Sequence, residues 1–239
     1  MYSISKRGFF KFILLLGTFG VHQLKPFKAL SALSGRKEGA MILPRPDNKG
    51  SLSVEEAIKR RRTVRSFSSI TLKKEDLSQI LYAAQGITED RGFKRSAPSG
   101  GALYPLDVYI VVGEKGVVDL NAAVYRYVPS DHSIEHVTSG DKKEELGRAS
   151  LNQMWMAAPP LNFVITAEYS RISSKYSERG GRYAMIEAGH VGQNIFLQAE
   201  ALGLGASIVG AFEDIKVVNV LGIPKKHEPL LIMPVGYRA

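Results

Sequence analysis

"SAPSGGALYPLDVYIVV", residues 96–112, sets a proline, a serine and paired glycines directly ahead of a run that reads only as a buried strand. Pro98 fixes the entry to the turn, Ser99, Gly100 and Gly101 strip it of bulk, and Leu103 and Tyr104 add apolar surface before the strand. Glycine is the residue that lets a backbone approach something closely. A tight helix-to-strand connection without a ligand uses the same residues, but this stretch is longer than a minimal turn.

Helical patterns precede the stretch. "SVEEAIKRRRTVRSF" opens on Ser53 as N-cap with Glu56 three residues on as its capping-box partner, and Val54, Ala57 and Ile58 form an apolar stripe. "TLKKEDLSQILYAAQG" spaces Leu77, Ile80, Leu81 and Ala84 as a helix ending at Gly86. After the strand, "VYRYV" and "HSIEHV" read as a hairpin and "LNFVITAEY" as a second buried strand. "RYAMIEAGHVGQNIFLQAEALGLG" reads as a central helix buried all round, and "ASIVGAF" and "PLLIMPVGYR" as the last strands. Helices covering a largely central sheet suggest an α+β or mixed α/β sandwich.

The 239 residues, 44% hydrophobic and 23% charged, suit one globular domain with an appendage. The net charge of +9 is partly local: residues 1–32 carry five cations and no acid, leaving +4 for the rest. The clustered Arg60, Arg61, Arg62 and Arg65 account for much of that remainder, which points to a local anion site more than to a general basic face. Aromatic residues are not interleaved among them as stacking platforms. With no cysteine, thiolate metal ligands, disulfides and a cysteine nucleophile are excluded. The histidines at 22, 132, 136, 190 and 227 are scattered without a second ligand at metal spacing, so no metal site is expected, and His190 reads as a packed helix residue.

Residues 1–34 have a basic start, a short apolar run and small residues beyond, the layout of a secretory signal. Within them "SKRGFFK" resembles the twin-arginine export motif, with Lys6 in place of its first arginine. Export to a periplasmic or cell-envelope location is therefore expected, without stable membrane insertion after signal removal. The competing readings are an uncleaved anchor, or a basic tail on a cytoplasmic protein. Residues 35–52 read as a linker and 53–239 as the folded domain.

In "RRRTVRSF", Arg61, Arg62, Thr63 and Arg65 stand where a helix runs out into extended chain, able to hold a phosphate through bidentate and hydroxyl hydrogen bonds. This motif, "APSGGALYPLDVYIVV", "ALGLGASIVGAF" and "MPVGYR" together resemble the nitroreductase superfamily of FMN-dependent oxidoreductases over residues 53–238. The resemblance implies a three-layer α-β-α sandwich with a mixed central sheet. It implies FMN phosphate and ribityl binding by Arg61, Arg62, Thr63, Arg65 and Arg238. Flavin packing would fall to Pro98, Ser99, Gly100, Gly101 and Leu103, and backbone contact with flavin N5 to Gly210 and Ala211. No side chain is expected to be catalytic, because the flavin carries the chemistry. Asn152 and Gln153 are secondary candidates for facing the cofactor.

A homodimer packed through the 183–202 helix, with Gly189 and Gly192 allowing close approach, and NAD(P)H as a possible electron donor are further implications. "PSGGALYPL" is most similar to the SagB-like dehydrogenases that aromatise azoline rings in modified peptides. Nitro, quinone and azoline compounds are thus the expected substrate classes, with ping-pong turnover. Outside these lie two alternatives, a flavin-binding protein without turnover and a basic anion-binding module.

Overall fold

Both parities of the run 106–112 are buried: Leu106, Val108, Ile110 and Val112 belong to one apolar cluster, Tyr109 and Val111 to another. Successive side chains of a strand point to opposite faces, so this strand needs cover on both sides. The computed structural model supplies it, describing residues 40–89 and 92–239; the expected signal at 1–34 lies outside the described residues.

In chain order the elements are β1 (Met41–Ile42), α1 (Val54–Arg60), α2 (Lys74–Gln85), β2 (Leu106–Val112), β3 (Ala123–Val128), β4 (Ser133–Ser139), α3 (Lys143–Ala149), β5 (Leu161–Ala167), α4 (Ser170–Tyr176), α5 (Arg179–Ala201), β6 (Gly205–Ala206), α6 (Asp214–Leu221) and β7 (Glu228–Gly236). The strands form one sheet in the order β1-β4-β3-β2-β5-β7-β6. Helices α2 and α5 cover one face through Leu77, Ile80, Leu81, Ala184, Val191 and Ile195. Helices α3 and α6 cover the other through Leu146, Ala149, Val217, Val218 and Leu221. This is the α+β three-layer sandwich expected. Its named strand pairs are all antiparallel. Parallel pairing enters only as single bridges, Thr63 to Ala206 and Leu72 to Val117, among the described residues.

Ser53 caps α1 as read, its hydroxyl accepting from the Glu56 N–H at 3.1 Å. Other readings change. Met41 and Ile42, in the stretch taken as linker, pair with Ile134 and Ser133 at the sheet edge. The helix at 179–201 is not buried all round: Met185 is 59% and Ile186 49% exposed, and His190 is exposed too. The "ASIVGAF" strand shrinks to Gly205–Ala206 plus a bridge from Val209 to Ile232. The sequence patterns above do not mark helices α3, α4 and α6. The first two are seven-residue elements, and "DIKVVNVL" looks strand-like until Val217, Val218 and Leu221 bury together on one helical face.

Candidate functional site

The chain leaves α1 at Arg61 with φ −46° and ψ 124°, an extended exit that aims the next residues along the C-terminal edge of the sheet. Thr63 pairs with Ala206, the Val64 N–H donates to the Ala206 carbonyl at 2.8 Å, and the Ser68 N–H donates to the Tyr237 carbonyl at 2.9 Å. The approach is close enough that a Cβ on Gly205 would stand 2.9 Å from Val64 Cβ. On this arm the Arg61 guanidinium lies 5.2 Å from the Phe196 ring centroid and that of Arg65 5.8 Å from Trp155. Arg62 donates to the carbonyls of Lys59 and Arg61 at 2.9 Å, and Thr63 is exposed. Among the described residues none of these three arginines has a carboxylate within ion-pair distance. Their neighbour Arg60 pairs with Glu56. Arg238, read as a phosphate ligand, pairs with Glu200 and reaches the Leu204 carbonyl at 3.4 Å, so the chain already engages its guanidinium.

The glycine loop is tighter than its sequence suggests. Gly101, Ala102 and Tyr104 all have left-handed backbones, φ 63°, 55° and 47°. Such conformations are uncommon outside glycine and collect at functional loops. Ser99 braces the turn, its hydroxyl oxygen accepting from the Tyr104 N–H at 2.9 Å. Pro98 is exposed, Ser99, Gly100 and Leu103 half-buried, and Gly101 open to solvent. Tyr104, read as apolar cover, instead places its ring 4.2 Å from the Arg95 guanidinium and donates its hydroxyl to the Phe93 carbonyl at 2.7 Å. Two side chains the sequence did not single out stand over the loop. A Cβ on Gly101 would meet Tyr176 Oη at 2.8 Å and Lys175 Nζ at 3.0 Å. They come from α4, about seventy residues along the chain, and no local pattern marks them.

Gly210 and Ala211 are exposed, with nothing within 4 Å of the side chain Gly210 lacks. Gln153 donates to the Ala211 carbonyl at 3.0 Å, which places one of the two secondary candidates here. Asn152 lines a separate groove with Arg148 and Lys216 between α3 and α6. Helix α5 joins the pieces. Its Tyr183 packs under Gly100, Cβ standing 3.5 Å from where a Gly100 Cβ would lie, its Asn194 donates to the Ala83 and Ser96 carbonyls at 2.9 and 3.4 Å, and its Phe196 carries Arg61. A groove of about 760 Å³, lined by residues including Arg45, Asp47, Gln79 and Gln198, borders Ser96 and Asn194 but lies off the arginine arm and Gly210.

One constellation is invisible along the chain. Asp107 on β2, Glu168 after β5 and His227 before β7 bring ligand-type atoms within 4.8 Å of one another, although spacing alone gave no histidine a partner. Protein cations already occupy it: Arg171 lies 2.8 Å from both carboxylates and Lys226 2.7 Å from Glu168. Tyr109 Oη is 2.7 Å from His227 Nδ1. Burial, against the pull of Asp107, keeps the His227 pKa below its ordinary value, so the imidazole is neutral at pH 7. We read an ion-pair network that fastens three strand ends. The hydrogen bond from Lys226, then the charge of Arg171, hold the Glu168 carboxyl at about 2. A carboxylate so depressed adds stability above its unfolded value that is lost as pH falls from about 4.5 toward 2. Glu168→Gln is therefore expected to cost roughly 1 kcal/mol at pH 7, Lys226 being largely in solvent, with the gap closing near pH 2. Urea unfolding at both pH values checks this; an unchanged gap would remove the ion pair as the cause.

Fold and site together define an α+β sandwich with a cationic arm and a glycine loop packed around one long helix. The chain belongs to the nitroreductase family, whose model matches residues 58–237. MJ1384 of Methanocaldococcus jannaschii, a protein named as a nitroreductase, is 44% identical over 185 residues, 77% of this chain and 91% of its own. A crystal structure of a Ralstonia eutropha JMP134 protein, also designated a nitroreductase, superposes with a TM-score of 0.74 at 26% identity, covering 86% of this chain and 92% of that one. The microcin B17-processing protein McbC of Escherichia coli is 26% identical over 174 residues, 67% of this chain but 60% of McbC. No helix among the described residues is long and apolar enough to cross a membrane.

Proposed function

We propose that the protein is an FMN-dependent oxidoreductase acting on a nitro, quinone or azoline-type substrate. The observation that carries this reading is the set of three arginines, Arg61, Arg62 and Arg65, which have no carboxylate partner among the described residues, on an arm anchored to the sheet. Guanidinium groups held this way suit a phosphate monoester. The left-handed Gly101 and the open Gly210 offer backbone free of side-chain bulk to a planar ring, so the residues present fit the cofactor. When bound, FMN supplies the electron-pair chemistry at N5, and two substrates using one site in turn give ping-pong kinetics. The chain's own part is to clamp the phosphate, present backbone N–H groups at Gly210 and Ala211, and bring Lys175 and Tyr176 over the glycine loop.

The spectrum of the purified protein, before and after denaturation and then under anaerobic reductant, tests this. Flavin bands, with FMN released on denaturation, are expected. A colourless protein that also refuses added FMN would overturn the reading in favour of an anion-binding module, whose binding would fall steeply with salt. Bound FMN that never cycles would indicate the flavin-binding protein without turnover.

A homodimer fits the exposed Met185, Ile186 and Gly189 on α5, Gly189 having nothing within 4 Å of its missing side chain. Gly192, the other glycine read for that contact, packs against Leu231 and Met233 of its own fold. A monomeric mass for the flavin-loaded protein by light scattering would remove the dimer. The microcin-processing name of McbC supports the azoline alternative, and the name of MJ1384 the nitro one. If residues 1–34 direct export, NAD(P)H is scarce where the enzyme works, and a quinone or the oxidised substrate itself completes the cycle. Fractionation of cells expressing the full chain, with and without a Lys6 and Arg7 double substitution, separates export from a cytoplasmic, NAD(P)H-fed enzyme.

A further inference from the structure

Directly before Gln153 the chain passes through two successive left-handed residues, Leu151 at φ 54° and Asn152 at φ 59°, neither of them glycine. Such conformations persist only where the surroundings hold them, and they collect at functional sites. What this turn delivers is the Gln153 carboxamide. Its Nε2 carries two protons and both are committed, one to the Ser150 carbonyl and one to the Ala211 carbonyl, each at 3.0 Å. Because both partners are carbonyls, only the amine end of the carboxamide can face them, and the orientation of the group is fixed.

The far end of this tie is the stretch to which the function above assigns contact with flavin N5. On one side of it Val209 and Ile232 exchange backbone hydrogen bonds at 2.8 and 2.9 Å. On the other, Phe212 packs on the apolar cluster of α3 and α6, and the Glu213 N–H donates to the Ala149 carbonyl at 2.9 Å. Between these anchors, and among the described residues, the N–H groups of Gly210, Ala211 and Phe212 donate to no protein acceptor. Nothing lies within 4 Å of the side chain Gly210 lacks, and glycine does not restrict its own dihedrals. The grip of Gln153 on the Ala211 carbonyl is the one side-chain hydrogen bond to this stretch among the described residues. A carbonyl and the N–H that follows it share one planar peptide unit, so holding the oxygen stops that unit from turning.

We propose that Gln153 is a positioning residue that keeps the Gly210–Ala211 backbone presenting N–H groups, and not a carbonyl, to the flavin ring, and so favours the oxidised form of the cofactor. This rests on the FMN reading above and adds a control on how readily the bound flavin is reduced, because hydrogen bonds to the ring nitrogens tune it. The sign follows from the inventory of donors and acceptors. Oxidised N5 has a lone pair that accepts from an N–H, whereas two-electron reduction leaves N5 bearing a hydrogen that needs an acceptor. A backbone locked with its N–H groups outward therefore favours the first state, and one free to turn its carbonyl loses that preference. The same turn leads into Trp155, the ring beneath Arg65, so one segment braces both the ring-facing backbone and the cationic arm.

Two neutral variants test this. Gln153→Met keeps the length of the side chain without its donors, and Gln153→Ala removes the donors without the bulk, so either reads the tie if the other disturbs the turn. The full chain freed of flavin is titrated with FMN, and the midpoint potential of the loaded protein is then measured against reference dyes. The variants are expected to bind oxidised FMN about tenfold more weakly with reduced flavin little affected, raising the potential by about 30 mV, the shift that tenfold makes in a two-electron couple. In the flavin-free chain, amide order parameters of Gly210, Ala211 and Phe212 from nitrogen-15 relaxation should fall from the rigid value of about 0.85 to below about 0.6. An unchanged potential, even with weakened binding, would overturn the proposal, since a merely structural residue would weaken both flavin forms alike. So would native order parameters in both variants. FMN uptake by none of the three proteins would sink the flavin reading and this proposal with it, a failure set apart from the others by a native protein that binds no flavin.

Discussion

Replacing Arg61 and Arg65 together by alanine is expected to weaken FMN binding at least a hundredfold while leaving the far-UV circular dichroism of the protein unchanged. Hydrogen bonds to a charged group contribute about 1.5–3 kcal/mol each, so losing two removes roughly 3 kcal/mol or more, and each 1.4 kcal/mol is tenfold in affinity. Among the described residues these side chains have no ion-pair partner. Each lies over an aromatic ring, Phe196 or Trp155, which fixes its direction without neutralising its charge. Arg60→Ala is the matched control, because that arginine already pairs with Glu56. Titration of flavin-free protein with FMN checks the comparison. Equal binding by the double variant and the control would show that the arm is an ordinary solvated face.

Gly101→Val should abolish stable FMN binding by a different route. A β-branched residue at φ 63° costs on the order of 1–2 kcal/mol in backbone strain alone, and its Cβ would press on Tyr176 Oη at 2.8 Å. The loop is at the surface, so the core should survive, with cooperative unfolding retained and the flavin lost. A Gly101→Val protein that purifies yellow at full occupancy would mean that the loop does not face the ring.

The fold was legible where periodicity speaks. The all-apolar strand at 106–112, the capped helix at Ser53 and the helix ending at Gly86 each carry their signal within a dozen residues. What stayed hidden was set by partners far along the chain. "DIKVVNVL" prefers a strand by composition and becomes a helix because Val217, Val218 and Leu221 complete the second apolar layer. Met185 and Ile186 look like core and are surface. At the site, glycine and arginine are conspicuous residue types, so Gly101 and Arg61 could be found. Lys175 and Tyr176 are ordinary residues of a helix until tertiary contact places them over the glycine loop, and the Asp107, Glu168 and His227 network exists only once the ends of three neighbouring strands meet at one end of the sheet.

The pairing of Thr63 with Ala206 and of Phe67 with Arg238 also fixes an order of events in the life of the chain. The arginines leave the ribosome early, but the edge they lie against is encoded about 140 to 170 residues later. Any nascent or truncated chain ending before residue 205 has the cationic arm without its anchor. Under the function proposed above, capture of a phosphate-bearing cofactor by this arm would follow synthesis of nearly the whole described domain, and cofactor loading would report on completed folding.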